Sequence, residues 1–235
     1  ISLLNKKFLI KKNFNLDTKK IYKKSYLKNF FNKILKNRVH SKILFSSVVP
    51  SAYKVIKNHL KKKKIKTFEI KDFKLKKMIK VKIKNFKQLG SDRIVNAIAS
   101  DKNRNCLVID FGTATTFDII KNGIYVGGVI APGVDLSIIN LNRSTALLPL
   151  FNLKYNQKSY GKNTKDALNA GFLWGYEGLV NNIINKITHK SKTSYKLILT
   201  GGYASLFKKF IRRKIIIDQN ITIKGVVKVY KEFIL

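Results

Sequence analysis

Residues 106–132 constrain the fold of this chain more than any other stretch. Leu107-Val108-Ile109 is an apolar run that ends in Asp110, and Gly112 with Thr113, Thr115 and Thr116 follows before the chain turns apolar again. A strand buried on both faces reads this way, and it delivers one acid and a small polar turn at its end. Asn122-Gly123 then separates two further apolar, alternating runs. That dipeptide is a strong two-residue hairpin signal, so Thr116 to Ile120 is expected to pair antiparallel with Ile124 to Ile130. Ala131-Pro132-Gly133 supplies a tight turn into a helix over Val134 to Asn140. Three sequential strands followed by a helix place the chain among mixed α/β folds.

The remaining segments extend that alternation. Residues 1–16 read as two short strands, Ile1 to Leu4 and Phe8 to Leu16, around Asn5-Lys6-Lys7. Asp17 or Thr18 is a candidate cap for a helix ending near Asn37, with Tyr22, Tyr26, Leu27, Phe30, Phe31 and Ile34 on one stripe. Lys42 to Val49 is a strand closed by Pro50. Ser51 is the expected cap of the next helix, which turns Tyr53, Ile56 and Leu60 inward. Thr67 to Ile70 and Met78 to Ile83 read as short strands. Gly90-Ser91-Asp92-Arg93 opens a helix with Ser91 as its cap, and the polar break Asp101 to Asn105 marks the domain boundary. Downstream, Gly161-Lys162-Asn163-Thr164 turns into a long helix, capped by Thr164 and running to about His189. Lys196 to Leu199 is a strand and Thr200-Gly201-Gly202 its turn into a helix from Ala204. Ile215 to Ile217 is a last strand, and 223–234 a final helix.

Composition narrows the class. The chain has 235 residues and a net charge of +37, which by itself points to nucleic acid or an anionic surface. The excess is nearly all Lys and is spread along the whole length, whereas nucleic-acid readers cluster their charge and favour Arg forks. A solvated Lys coat explains it better. The one cysteine, Cys106, precludes an internal disulfide and reads as a small buried residue. No apolar run approaches 18 residues, so no membrane-spanning helix is expected, and the cytoplasm is the expected compartment.

Three loops carry the polar residues that chemistry needs: the turn after Asp110, the helix start Ser91 to Arg93, and Thr200 to Gly202. Glycine and threonine offer N–H groups and hydroxyls to phosphate oxygens without bulk. Asp110 would repel phosphate, so its sensible role is to hold a cation beside it. Asp92, in a first helical turn, is expected to stay ionised and to be a weak base. Neither a P-loop nor a dinucleotide fingerprint, nucleophile elbow or Cys/His cluster occurs, and His40, His59 and His189 are isolated at Lys-rich helix ends.

Taken together, Gly90-Ser91-Asp92-Arg93-Ile94-Val95-Asn96-Ala97, Asp110-Phe111-Gly112-Thr113-Ala114-Thr115-Thr116-Phe117-Asp118, Gly127-Gly128-Val129-Ile130-Ala131-Pro132-Gly133, Gly161-Lys162-Asn163-Thr164 and Thr200-Gly201-Gly202 resemble the ordered motifs of type III pantothenate kinases, and Ser46-Ser47-Val48-Val49-Pro50-Ser51 is similar to that family's first-domain strand and turn. The resemblance implies ATP-dependent phosphorylation of pantothenate, the first step towards coenzyme A. It implies the fold shared by actin, sugar kinases and heat-shock ATPases: two ribonuclease-H-like α/β domains with mixed five-stranded sheets, here 1–104 and 105–235. Gly90, Ser91, Asp92 and Arg93 would bind pantothenate, with Asp92 as proton acceptor. Thr164 would contact pantothenate, Thr113 would contact ATP, and Asp110 would hold a monovalent cation, K+ or NH4+. Mg2+ and a homodimer are implied as well, the Gly171, Gly175, Gly178 helix face being available to a partner.

Two features depart from the family pattern. The family's opening strand, with Asp-x-Gly-Asn-Thr and an acid for Mg2+, has no counterpart in these residues, so the first strand of the first sheet is expected to be missing. The aromatic residue several positions before Gly-x-Asp-Arg is also absent, Ile83 standing near its place. A non-enzymatic regulatory or accessory relative of the family is the alternative reading, and a basic nucleic-acid-binding protein a more distant one.

Overall fold

A computed structural model describes residues 1–5, 7–14, 16–17, 20–35, 42–155 and 160–235. In chain order the elements are β1 (Ser2–Leu4), β2 (Ile10–Asn13), α1 (Lys24–Leu35), β3 (Lys42–Phe45), α2 (Pro50–Lys61), β4 (Lys66–Glu69), β5 (Lys80–Val81) and α3 (Ser91–Ala99). Next come β6 (Cys106–Phe111), β7 (Ala114–Lys121), β8 (Ile124–Pro132), α4 (Val134–Arg143), α5 (Thr164–Ser191), β9 (Lys196–Gly201), α6 (Ala204–Phe207), β10 (Ile215–Ile217) and α7 (Ile221–Phe233). They form two compact units. Unit 1 comprises Ile1–Ile79, Asn85–Ala99 and Thr222–Leu235, and unit 2 comprises Lys80–Lys84 and Ser100–Ile221.

These units do not coincide with a cut after residue 104. The C-terminal helix belongs to unit 1 from Thr222 onward because Gly225 lets its backbone lie on α3: a Cβ there would stand 2.0 Å from the Val95 carbonyl oxygen. Polar bonds fix the same contact. Thr222 Oγ1 donates to Asn96 Oδ1 at 2.7 Å and Lys228 Nζ to the Ile98 carbonyl at 2.9 Å. Residues 80–84 leave for unit 2 because β5 pairs in parallel with β8, Lys80 beside Ile124.

In unit 1 the described residues form two separate ladders, not one five-stranded sheet. β1 and β2 pair antiparallel, β3 and β4 parallel. α1 and α2 share a core of Leu27, Phe31, Ala52, Ile56 and Leu60 with Ile21. Full burial of the Leu, Ile and Phe side chains contributes about 1.5–3 kcal/mol each. The stripe begins later than the sequence spacing suggests, since α1 starts at Lys24 and Tyr22 is exposed, donating or accepting at Ser51 Oγ. Ser51 therefore does not cap α2; Val49 holds the cap position and Pro50 supplies the preset φ of the first turn. The candidate cap Thr18, the helix end at Asn37, His40 and the middle of the Asn5-Lys6-Lys7 turn lie outside the described residues.

Unit 2 is a mixed α/β unit with one six-stranded sheet, ordered β10-β9-β6-β7-β8-β5. The expected hairpin is present: Asn122 and Gly123 take φ of 46° and 73°, the paired left-handed values that a two-residue turn needs. Five strands were implied, and β5 makes the sixth. It lies within the strand expected over Met78 to Ile83, is shorter than that span, and joins this unit's sheet instead of the first domain. The apolar core joins β6 and β9 to α4, α5 and α6 through Leu107, Ile109, Leu199, Val134, Tyr176 and Phe207.

Candidate active site

In unit 2 the ends of β6 and β9 bring three glycine turns together. Asp110 is the fifth residue of β6 and is half-buried. In register beside it stand Thr116 of β7 and Thr200 of β9. Directly paired residues project to the same face, so one carboxylate sits between two neutral hydroxyl residues. Gly112 and Thr113 follow, both exposed, with the Gly112 N–H on the Ala114 carbonyl at 3.1 Å.

The turn is held from two sides by close backbone approach. A Cβ on Gly133 would lie 2.0 Å from the Thr113 carbonyl oxygen. One on Gly201, whose φ is +87°, would lie 2.5 Å from the Phe111 carbonyl oxygen, and the Gly202 N–H donates to that same oxygen at 3.1 Å. No side chain fits at either place. Gly127-Gly128, by contrast, lies along β8, with Gly127 at φ +148° beside a register shift, and forms no part of the turn.

Sequence reasoning passed over two residues at this end of unit 2. Asp135 lies in the first turn of α4, and the Tyr203 hydroxyl donates to its carboxylate in a short hydrogen bond. Burial first, and the Asp135 carboxylate second, hold the Tyr203 phenol far above its usual range, so it stays a neutral donor. The Pro132-Gly133 turn followed by an acid was the available signal.

Thr164 is the first residue of α5, not its cap. Asn163 takes that role: its Oδ1 accepts the Asp166 N–H at 3.0 Å and its Nδ2 donates to the Asp166 carboxylate at 2.9 Å. Both residue types cap helices, and Asn is the stronger of the two. The exposed Thr164 hydroxyl is thereby left to other partners. Gly161 makes the turn possible, since a Cβ there would meet the Ala167 nitrogen at 2.0 Å.

In unit 1, Gly90, Ser91, Asp92 and Arg93 form the start of α3. Ser91 is fully buried and does not cap; its hydroxyl donates to the Ser47 carbonyl at 2.9 Å and accepts from Ser46 Oγ at 3.2 Å. The loop after β3 consumes the capping hydroxyl. Gly90 instead stands before the helix, its carbonyl accepting the Ile94 N–H at 3.1 Å. Half-buried Asp92 folds back so that Oδ1 accepts the Arg93 N–H at 2.8 Å. A Cβ on Gly90 would stand 2.5 Å from that same oxygen, so the glycine makes room for the carboxylate. Arg93 is half-buried.

Among the described residues no group of three or more His, Cys, Asp or Glu could hold a metal ion. A single carboxylate among hydroxyls, as at Asp110, suits a singly charged cation better than a divalent one, which draws on more carboxylate oxygens. No described helix is long and apolar enough to cross a membrane.

Comparison with known proteins agrees with the motif order. The family model described as type III pantothenate kinase matches residues 1–186. A type III pantothenate kinase of Pelagibacter ubique is 46% identical over 97% of this chain and 92% of its own length. One from a Sulfurihydrogenibium species is 35% identical over 86% of this chain and 81% of its own. A solved structure described as a conserved Baf family transcriptional activator from Campylobacter jejuni superposes with a TM-score of 0.57 at 26% identity, over 86% of this chain and 87% of that one.

Proposed function

Because the chain belongs to the type III pantothenate kinase family, we propose that its two groups of loops divide the substrates of that reaction, with Asp92 acting on pantothenate and Thr113 on ATP. The enzyme phosphorylates pantothenate at the expense of ATP in coenzyme A biosynthesis. Gly90, Ser91, Asp92 and Arg93 bind pantothenate, and Thr164 contributes its hydroxyl. Thr113 and the backbone N–H groups of its turn take ATP phosphate oxygens.

The observation that carries the reading is the Asp92 carboxylate itself, seated on the first turn of α3 with one oxygen tied to the Arg93 N–H. A carboxylate held there orients the pantothenate hydroxyl. Phosphoryl transfer through a loose transition state needs that orientation more than early proton removal. The hydroxyl oxygen bonds to the γ-phosphorus, the bond to the bridging oxygen of ADP breaks, and the proton passes late to Asp92.

Asp110, with Thr116 and Thr200 beside it, would hold K+ or NH4+, and such a cation offsets phosphate charge. Mg2+ enters with ATP, and no residue of this chain is assigned to it. The experiment is an assay of pantothenate phosphorylation with and without K+. Activation by K+ is expected, and Asp110→Asn should abolish that activation. Activity independent of K+ in both forms would remove the cation role.

The finer fold reading is two ribonuclease-H-like domains, supported in unit 2 by the antiparallel run β6-β7-β8 continued on the other side of β6 by parallel β9 and β10. Unit 2 also offers a homodimer surface. Gly171, Gly175 and Gly178 face open space, and a groove of about 570 Å³ runs past Gly171 and Gly175 between Leu141, Leu148, Phe172 and Leu179. We place the activity in the cytoplasm, where both substrates occur. The activator likeness favours a second reading, an accessory protein. Saturable DNA binding that resists salt would support it.

A further inference from the structure

We infer that Glu69 is a positioning residue for the pantothenate loop, acting through Ser47 and Ser91. It rests on the site reading above. Glu69 ends β4 and is only 9% exposed. A carboxylate taken out of water is costly unless its oxygens are satisfied. One oxygen, Oε2, accepts the Lys71 N–H at 2.5 Å and caps the short turn Ile70–Asp72, whose Asp72 returns the favour at the Glu69 N–H at 2.9 Å. That part is local, and an exposed side chain would serve it equally well.

The other oxygen does something local structure does not require. Oε1 accepts the N–H of Ser47, 22 residues earlier in the chain, at 3.3 Å. The carbonyl of that same Ser47 accepts the Ser91 hydroxyl at 2.9 Å, and Ser46 Oγ donates to Ser91 at 3.2 Å. Ser47 is thus gripped on both of its backbone polar groups, by Glu69 on one side and by the first residue of α3 on the other. Ser91 precedes Asp92. A shift of the Ser46–Ser47 loop is therefore transmitted to the helix start that carries the substrate carboxylate. Interactions that set the angle of a reacting group are felt in substrate affinity and turnover well beyond their local contact energy. A bond to a charged acceptor is stronger than one to a neutral acceptor, which suits Glu69 to the role.

Equilibrium binding of pantothenate and of ATP to the full chain by calorimetry tests this, because it reads affinity without requiring turnover. Glu69→Ala should weaken pantothenate by about tenfold, the loss of one charge-assisted hydrogen bond, and leave ATP within about twofold. Glu69→Gln keeps the side-chain volume and one acceptor oxygen; it should recover part of the loss, and it carries the test if the alanine variant does not fold. In a Ser91→Ala background, Glu69→Ala should cost less than about twofold more, because both act along one path. Equal weakening of both ligands, or full additivity with Ser91→Ala, would overturn the inference and leave Glu69 as a turn cap. Failure of the unaltered chain to bind pantothenate would overturn the site reading itself, an outcome separate from either.

Discussion

The two units reach a small polar loop by opposite means. In unit 2 the turn at Gly112-Thr113 sits on the ends of a six-stranded sheet and is walled by backbone, with Gly133 and Gly201 against carbonyl oxygens. In unit 1 the described strands form two-stranded ladders, and the loop at Gly90–Arg93 is held by side chains, through Ser46, Ser47, Glu69 and Ser91. A backbone-walled site is specified by where side chains are absent. A side-chain relay is specified by hydroxyl and carboxylate identity, and tolerates small backbone adjustments. On the proposed division of substrates, ATP phosphate would use the first means and the pantothenate hydroxyl the second.

The sharpest way to break this contrast is Gly133→Ala. Its Cβ would fall 2.0 Å from a backbone oxygen with nothing flexible to yield. Overpacking of this kind costs on the order of 1–3 kcal/mol or more. We expect a lowered unfolding midpoint and an ATP KM raised at least tenfold, measured by denaturant titration and steady-state kinetics. If the variant matched the parent in both, the backbone wall would be unnecessary. Thr164→Val comes next. Loss of one hydroxyl contact should raise pantothenate KM by about tenfold and leave ATP KM alone; a change in ATP KM instead would move Thr164 to the other substrate.

Smaller effects sharpen the comparison. Asn163→Ala removes the cap of α5 and should cost about 1 kcal/mol of stability, read from the same titration, with any kinetic change confined to pantothenate. Gly112→Ala is expected to be nearly silent in stability, because its Cβ would meet only Asp110 Oδ1 at 3.5 Å and the Ala114 oxygen at 3.6 Å. A large loss there would mean that the Gly112 conformation, rather than the space around it, matters.

How much of this was legible in the sequence follows the same division. The central hairpin was readable because Asn122-Gly123 is local chemistry, and so were Asp110 and the glycine turns. The pairing of Lys80–Val81 was not, since the strand expected over Met78 to Ile83 meets its partner β8 only in space. Nor was the return of α7 to unit 1, which depends on the distant pair Gly225 and Val95. Caps were read one position late at Thr164 and at Ser91, for different reasons. Asn163 outcompetes its neighbour locally, whereas the Ser91 hydroxyl is drawn away by residues 44 and 45 positions earlier. Glu69 carried no signal at all, because its partner Ser47 is near only in space.

Side-by-side kinetics of the parent chain and Asp92→Asn test the central claim most directly. Asp92 in unit 1 should act on the pantothenate hydroxyl and leave ATP to unit 2. We predict a fall in kcat of about a hundredfold or more, the usual range for losing a positioned acid–base group, with ATP KM changed less than about twofold. Unchanged turnover, or an ATP KM that rises in step with the loss, would contradict the account.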